Sequence, residues 1–226
     1  MSDSPPELHV VDDPSPVVGE LLAEQARRGG SIVLTGGGGV ARAYAHAAAA
    51  QPDWSAATVW WGDERCVPPD HEWSNYKLGK ESLLDRLAVQ PRMRCTSRGE
   101  LQPADAAGEY EHALKGVELD FLLLGLGPDG HCASLFPGSP QLDVVDRRVV
   151  SGPAGLKPFV DRVTLTMPEL KSARRIVFIV SGENKADAVR RVFGDPVSRD
   201  APASLTRGAP VPVEVYLDAA AASQLR

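Results

Sequence analysis

Asp129 and His131 stand two residues apart at the end of Phe121-Leu122-Leu123-Leu124-Gly125-Leu126-Gly127-Pro128-Asp129-Gly130-His131. An apolar run delivers a glycine-rich loop, and the loop carries a carboxylate and an imidazole. Neutral imidazole is the side chain best suited to take a proton near neutral pH, so His131 reads as a general base. Asp129 either orients the site or accepts from substrate hydroxyls. Cys132–Phe136 reads as a short helix that His131 opens, whose N-terminal dipole disfavours added charge on the ring. Cys132 offers a thiol beside the histidine, but a small buried residue is its plainer reading.

A second segment, Ile32-Val33-Leu34-Thr35-Gly36-Gly37-Gly38-Gly39-Val40, runs from an apolar strand through four glycines into an alanine-rich helix. Gly36, Gly37 and Gly38 let the backbone approach a ligand and turn its N–H groups toward it. The helix N-terminus behind them adds partial positive charge, which makes a phosphate seat. A tight turn that merely needs glycine is the other reading. Gly36, Gly38 and Ala41 also fit the dinucleotide pattern G-x-G-x-x-A. The next strand, however, ends in Trp60-Trp61-Gly62-Asp63 without a clean ribose acid. The lysine of a nucleoside-triphosphate loop is missing as well.

Two further segments supply charge. Gly62-Asp63-Glu64-Arg65 leaves an apolar strand; Asp63 suits a base, an orienting group or a hydroxyl acceptor, and the planar fork of Arg65 suits a phosphate or carboxylate. A local salt bridge or a helix-cap cluster is the alternative. Arg162 precedes Val163-Thr164-Leu165-Thr166, and Lys185 follows Ser181-Gly182-Glu183-Asn184 in the first turn of a helix. A cation there opposes the helix dipole, which makes sense if an anion arrives.

The elements that must hold these segments alternate. Strands are predicted at His9–Val11, Ile32–Thr35, Thr58–Trp61, Phe121–Gly125, Val149–Ser151, Val163–Met167, Ile176–Ser181 and Val213–Leu217, several continuously apolar as in sheets covered on both faces. Helices are predicted after a Ser15 cap with Pro16 at N1, over about Val40–Ala50, after Asn75, over about Ala104–Leu114, through Ala186, Val189 and Val192, and over Ala219–Arg226. Alternation of this kind gives right-handed βαβ units, hence an α/β, Rossmann-like, mostly parallel sheet with helices on both faces. Ligands then bind beyond the carboxyl ends of the strands. The pattern over residues 1–226 reads as a single domain.

The chain has 226 residues, 43% of them hydrophobic, with a formal charge of −6. A net negative charge argues against nucleic acid or an anionic membrane as partner, and local cations must bring in any anionic substrate. Cys66, Cys95 and Cys132 form no CxxC pair, and the start lacks a signal-peptide pattern, so a cytoplasmic setting is expected. His9, His46, His71 and His112 read as structural. No histidine pair has zinc spacing, so neither metal nor other cofactor is expected.

Taken together, these segments resemble the 6-phosphogluconolactonases of the pentose phosphate pathway over nearly the whole chain. The likeness is most specific at Gly125–Pro137, GLGPDGHCASLFP, against a family pattern close to G-x-G-x-D-G-H-x-A-S-L-F-P. It continues at Gly62–Arg65 (GDER), Ser74–Leu78 (SNYKL), Arg162–Thr166 (RVTLT) and Ser181–Ala186 (SGENKA). The resemblance implies the fold of sugar-phosphate isomerases and amino-sugar-phosphate deaminases. It implies His131 as general base, Asp63 and Asp129 as polar groups of the site, and Arg65, Lys185 and Arg162 as holders of the substrate phosphate. The sequence departs from the family at Gly38, often a hydroxyl residue, and at Cys132, often threonine.

The activity expected is hydrolysis of 6-phospho-D-glucono-1,5-lactone, by a monomer or weak homo-oligomer whose partner is a small sugar phosphate. Two alternatives stand beside it. Deaminases and isomerases of the same fold carry a glutamate shortly after the histidine, where this chain has Phe136. A non-catalytic sugar-phosphate sensor would need the phosphate seat alone.

Overall fold

The computed structural model describes residues 5–93, 98 and 101–225. The strands are β1 (Glu7–Val10), β2 (Gly30–Leu34), β3 (Ala57–Trp61), β4 (Asp63–Arg65), β5 (Arg92–Met93), β6 (Phe121–Leu124), β7 (Val149–Gly152), β8 (Arg162–Leu165), β9 (Ile176–Val180) and β10 (Val213–Leu217). Seven of them form one parallel sheet in the order β1-β10-β9-β6-β2-β3-β5. The other three make a small antiparallel sheet, β4-β8-β7.

The helices are α1 (Pro14–Arg28), α2 (Ala41–Ala50), α3 (Asn75–Ser82), α4 (Pro103–Ala113), α5 (Met167–Lys171) and α6 (Ala186–Val189). The strand residues alternate between two cores, as a pleated sheet requires. Ile32 and Leu34 pack with Val18 and Leu22 of α1 and Tyr44 of α2 on one face. Val33, Leu122 and Leu124 pack with Tyr110 of α4 and Val189 of α6 on the other. Helices thus cover both faces, as the apolar strands implied. No helix among the described residues is long and apolar enough to cross a membrane.

From β2 the chain leaves toward β3 on one side and, through β6, toward β9 on the other. The order reverses between β2 and β6, which opens a crevice at their carboxyl ends. The glycine run after β2 and the Asp129–His131 loop after β6 both stand at that crevice.

Several local expectations are corrected. The cap of α1 is Asp13, which accepts from the Ser15 N–H at 3.0 Å, so the helix starts at Pro14. Asp13 captures the first free amide before Ser15 can. Cys132–Phe136 is not helical: it is a tight turn closed by a bridge between Cys132 and Leu135, with Ala133 at φ 48°. Residues 219–224 form turns held by Asp218, which accepts from the Ala221 N–H, and Arg226 lies outside the described residues. Met167 opens α5 instead of closing β8. The strands β4 and β5, of three and two residues, carry too little pattern to be read from sequence.

Candidate active site

β3 ends at Trp61, and Gly62 links the two sheets. Its N–H donates to Leu34 O at 2.9 Å, and its carbonyl accepts from Leu165 N at 2.8 Å. The chain then enters β4, where Asp63, Glu64 and Arg65 pair with Thr164, Val163 and Arg162 of β8. GDER is therefore an edge of the second sheet rather than a loop, and the pairing sets two arginines on one rung.

The three charged residues of β4 have different tasks. Glu64 turns away from the cleft to the start of α3. Its carboxylate accepts from Asn75 N, Tyr76 N and Arg65 N at 2.7 Å each and from Ser74 Oγ at 3.1 Å. It caps the helix from outside. Burial still pushes its carboxyl above the ordinary glutamate value, against those donors and with the Asp63 charge adding to it. Asp63, also buried, accepts from Ser134 Oγ at 2.6 Å and Asn75 Nδ2 at 3.2 Å. It pins the turn after His131 to α3. Arg65 reaches along the cleft, with Nη1 on Trp73 O at 2.6 Å.

Arg162 is buried, and only Nη2 is engaged, on Pro158 O at 2.9 Å. Its Nε and Nη1 have no hydrogen-bond partner, nor has Nε of Arg65. Burial lowers the Arg162 pKa, and the Arg65 charge lowers it further, against Asp63 and Glu64. A buried cation with unsatisfied N–H groups is costly.

His131 Nδ1 lies 2.5 Å from Asp129 Oδ1, and the His131 N–H donates to the same oxygen at 3.1 Å. The ring packs on Phe136, centroids 4.5 Å apart and tilted by 48°. A neutral ring that donates Nδ1–H to Asp129 carries its lone pair on Nε2. Residues 132–136 form a turn, so the helix N-terminus expected at His131 is not there, and Asp129 orients the ring instead. Gly127 is dictated by the ring: a Cβ there would sit 2.0 Å from His131 Nδ1. Cys132 is fully buried and its thiol pKa is pushed up to about 12, first by burial and then by Asp63, so it is no nucleophile.

After β2, Tyr44 brackets Thr35. Its hydroxyl accepts from Thr35 N at 2.9 Å and donates to Thr35 O at 2.7 Å. Gly36 presses against the Asn75 side chain, where a Cβ would fall 1.8 Å from Oδ1, and Gly37 has φ +101°. α2 then begins with no side-chain cap at Val40, which leaves its first amides to a ligand or to water. Lys185 ends a short 3₁₀ turn (Glu183–Lys185) rather than sitting inside a helix, and Nζ donates to Leu126 O at 2.7 Å.

These parts line one cavity of 420 Å³. Gly36, Gly37, Gly38, Asp63, Arg65, His131, Arg162 and Lys185 all face it, and Asp129 stands behind His131. Asn75, Ser134 and Lys157 line it too, although sequence reasoning gave them no role. Asn75 and Ser134 lay within the motif segments SNYKL and GLGPDGHCASLFP. Lys157 sits in a glycine- and proline-rich loop with no periodic signal.

A doubly flanked parallel sheet with a crevice at its switch point, walled in part by Arg65, Arg162 and Lys185, defines a Rossmann-like α/β protein. The chain belongs to the family described as glucosamine-6-phosphate isomerases/6-phosphogluconolactonase, whose profile matches residues 17–213. A 6-phosphogluconolactonase of Mycobacterium tuberculosis is 39% identical over 84% of this chain and 85% of its own length. One of Streptomyces coelicolor is 35% identical over 92% and 87%. The match to a probable 6-phosphogluconolactonase of Arabidopsis thaliana spans 63% of that protein's length. Among solved structures, the 6-phosphogluconolactonase of Trypanosoma brucei superposes with a TM-score of 0.83 at 26% identity, covering 98% of this chain and 99% of that one. A monomeric glucosamine-6-phosphate deaminase shares the fold, with a TM-score of 0.82 at 19% identity over 96% of this chain and 99% of that one.

Proposed function

We propose that this protein hydrolyses 6-phospho-D-glucono-1,5-lactone to 6-phospho-D-gluconate, as in the oxidative pentose phosphate pathway, with His131 as general base. The observation that carries this reading is the Asp129–His131 pair, whose Nε2 stays free beside a cavity walled by the Gly36–Gly39 turn, Arg65, Arg162 and Lys185. The phosphate docks on the glycine turn and the cations and fixes the sugar ring. Its binding energy is then spent on orientation. His131 Nε2 takes a proton from a water aimed at the lactone carbonyl. The tetrahedral oxyanion collapses, the ring C–O bond breaks, and the imidazolium returns the proton to the departing oxygen. Asp129 stabilises that imidazolium.

Phe136 favours this reading over deamination. Ring opening of an amino sugar calls for a carboxylate partner to the histidine, and an apolar ring packs there instead. The direct experiment follows acid release from freshly made 6-phosphogluconolactone against the spontaneous rate, with and without chelator. A purified protein that leaves the spontaneous rate unchanged would overturn the proposal. Ammonia release from glucosamine 6-phosphate would replace it with the deaminase reading.

A further inference from the structure

The loop that carries Asp129 and His131 is fastened from behind. Its own amides close it at the ends: Gly127 N donates to His131 O at 2.8 Å, and Gly130 N to Gly127 O at 3.0 Å. Ala203 N donates to Gly130 O at 2.8 Å. The two remaining carbonyls are taken by one side chain, Arg191. Its Nη2 lies 3.0 Å from Pro128 O and its Nη1 3.3 Å from Asp129 O. These carbonyls flank the α-carbon of Asp129.

Arg191 is itself held. It sits in a π-helical turn, Arg190–Gly194, that directly follows α6. Nε donates to Asp187 Oδ2 at 2.9 Å, and Nη1 also reaches Asp200 O at 3.4 Å. Gly130, at φ +86°, lies so close to Ala201 that a Cβ would approach its Cα to 2.9 Å.

The geometry points to Arg191 as a positioning residue for the His131–Asp129 pair. Its planar fork fixes the two peptide planes on either side of Asp129. That fixes the direction of the carboxylate, and so the tautomer and aim of His131. A lysine offers a point charge that serves one carbonyl at a time, so the role belongs to the guanidinium. Arg191 lies outside the cavity lining, so it acts on the chemical step and not on anion binding. This inference rests on His131 being the base.

The test compares Arg191→Ala and Arg191→Lys with the unaltered protein in the lactone assay. The expected result is a fall in kcat of roughly tenfold or more, as sub-ångström to ångström misplacement produces, with KM within about twofold. Lysine should recover only part of the loss. A second readout is independent of substrate: the far-downfield Nδ1 proton of His131, seen by NMR when Asp129 accepts from it, should weaken or vanish in Arg191→Ala. Unchanged kcat and an unchanged Nδ1 signal overturn the inference, as does a KM rise as large as the kcat loss. If alanine prevents folding, lysine decides by the same criteria; failure of both to fold assigns Arg191 to the fold alone and overturns it. A wild-type protein inactive on the lactone would sink the proposed function, while the Nδ1 signal would still report on Arg191.

Discussion

Arg65 and Arg162 are register partners on neighbouring strands, so two cations stand side by side on one rung. Each keeps a buried Nε without a partner. Two neighbouring guanidinium groups repel, so an anion placed between them is expected to bind favourably. Arg162→Met, which keeps the stem and removes the charge, should raise KM about 10- to 100-fold, the loss expected for a charged hydrogen-bond partner of roughly 1.5–3 kcal/mol. Its melting temperature should be unchanged or higher, because an unpaired buried charge is gone. A lower melting temperature with unchanged KM would show that Arg162 is a structural cation.

His131→Ala should reduce kcat about 10²- to 10⁴-fold, the usual worth of a positioned base. Binding of the acid product should stay near normal, since the anion seat lies on other elements. Calorimetric titration with 6-phosphogluconate separates the two effects. Turnover near the wild-type level would remove His131 from the mechanism.

Asp129→Asn tests the orientation of the imidazole. An amide at this position can donate to Nδ1, which moves the ring proton to Nε2 and removes the base. A kcat loss of about 10²–10⁴ is expected at similar KM. A pH effect accompanies it. Burial raises the Asp129 carboxyl pKa, but the hydrogen bonds and charge of His131 more than offset that and leave it below the ordinary aspartate value. A carboxyl depressed on folding adds stability above its unfolded pKa of about 3.9, and the increment is lost as pH falls through the lower folded value. The melting-temperature gap between wild type and Asp129→Asn should narrow over that acid range; a constant gap contradicts the depressed pKa.

The sheet was legible because β2, β6 and β9 are short apolar runs of Ile, Val, Leu and Phe whose neighbours read as helices, and parallel strands must be buried on both faces. The site residues were legible because they follow those runs. What pairing alone creates was not. β4 is Asp-Glu-Arg, with no hydrophobic signal, and becomes a strand only because β8 lies beside it. The turn at Cys132–Phe136 reads locally as helix, but Asp63 captures Ser134 and Asp129 captures the His131 amide, so the chain folds back instead. Arg191 was hidden for the same reason: a π-turn cannot be told from a helix by periodicity.

Gly127 and Gly38 should respond oppositely to a side chain. A Cβ at Gly127 falls on the His131 ring, whereas at Gly38 it meets nothing within 4 Å. Gly127→Ala should therefore cost activity, on the order of tenfold or more through displacement of the imidazole, while the protein remains folded. Gly38→Ser should fold normally and, by adding a hydroxyl donor to the phosphate seat, lower KM by about twofold to tenfold. If Gly38→Ser raises KM instead, the phosphate does not dock on this turn.

The proposed phosphate seat makes Lys185 a test of pH dependence. Burial pushes its ammonium below the ordinary lysine value, and the Asp129 charge only partly restores it. As pH rises from neutral into the alkaline range, Lys185 should lose its proton before a surface lysine would, and anion affinity should fall with it. The folded state binds this proton less tightly than the unfolded chain, so stability of the unliganded protein increases over the same range. Affinity and stability thus move in opposite directions. Inorganic phosphate is the suitable probe, because the lactone opens unaided in alkali. Calorimetry should show phosphate affinity declining with pH in wild type, staying flatter in Lys185→Arg, and starting low in Lys185→Met. A wild-type profile as flat as that of Lys185→Arg would mean that Lys185 is spent on its bond to Leu126 O and takes no part in holding the phosphate.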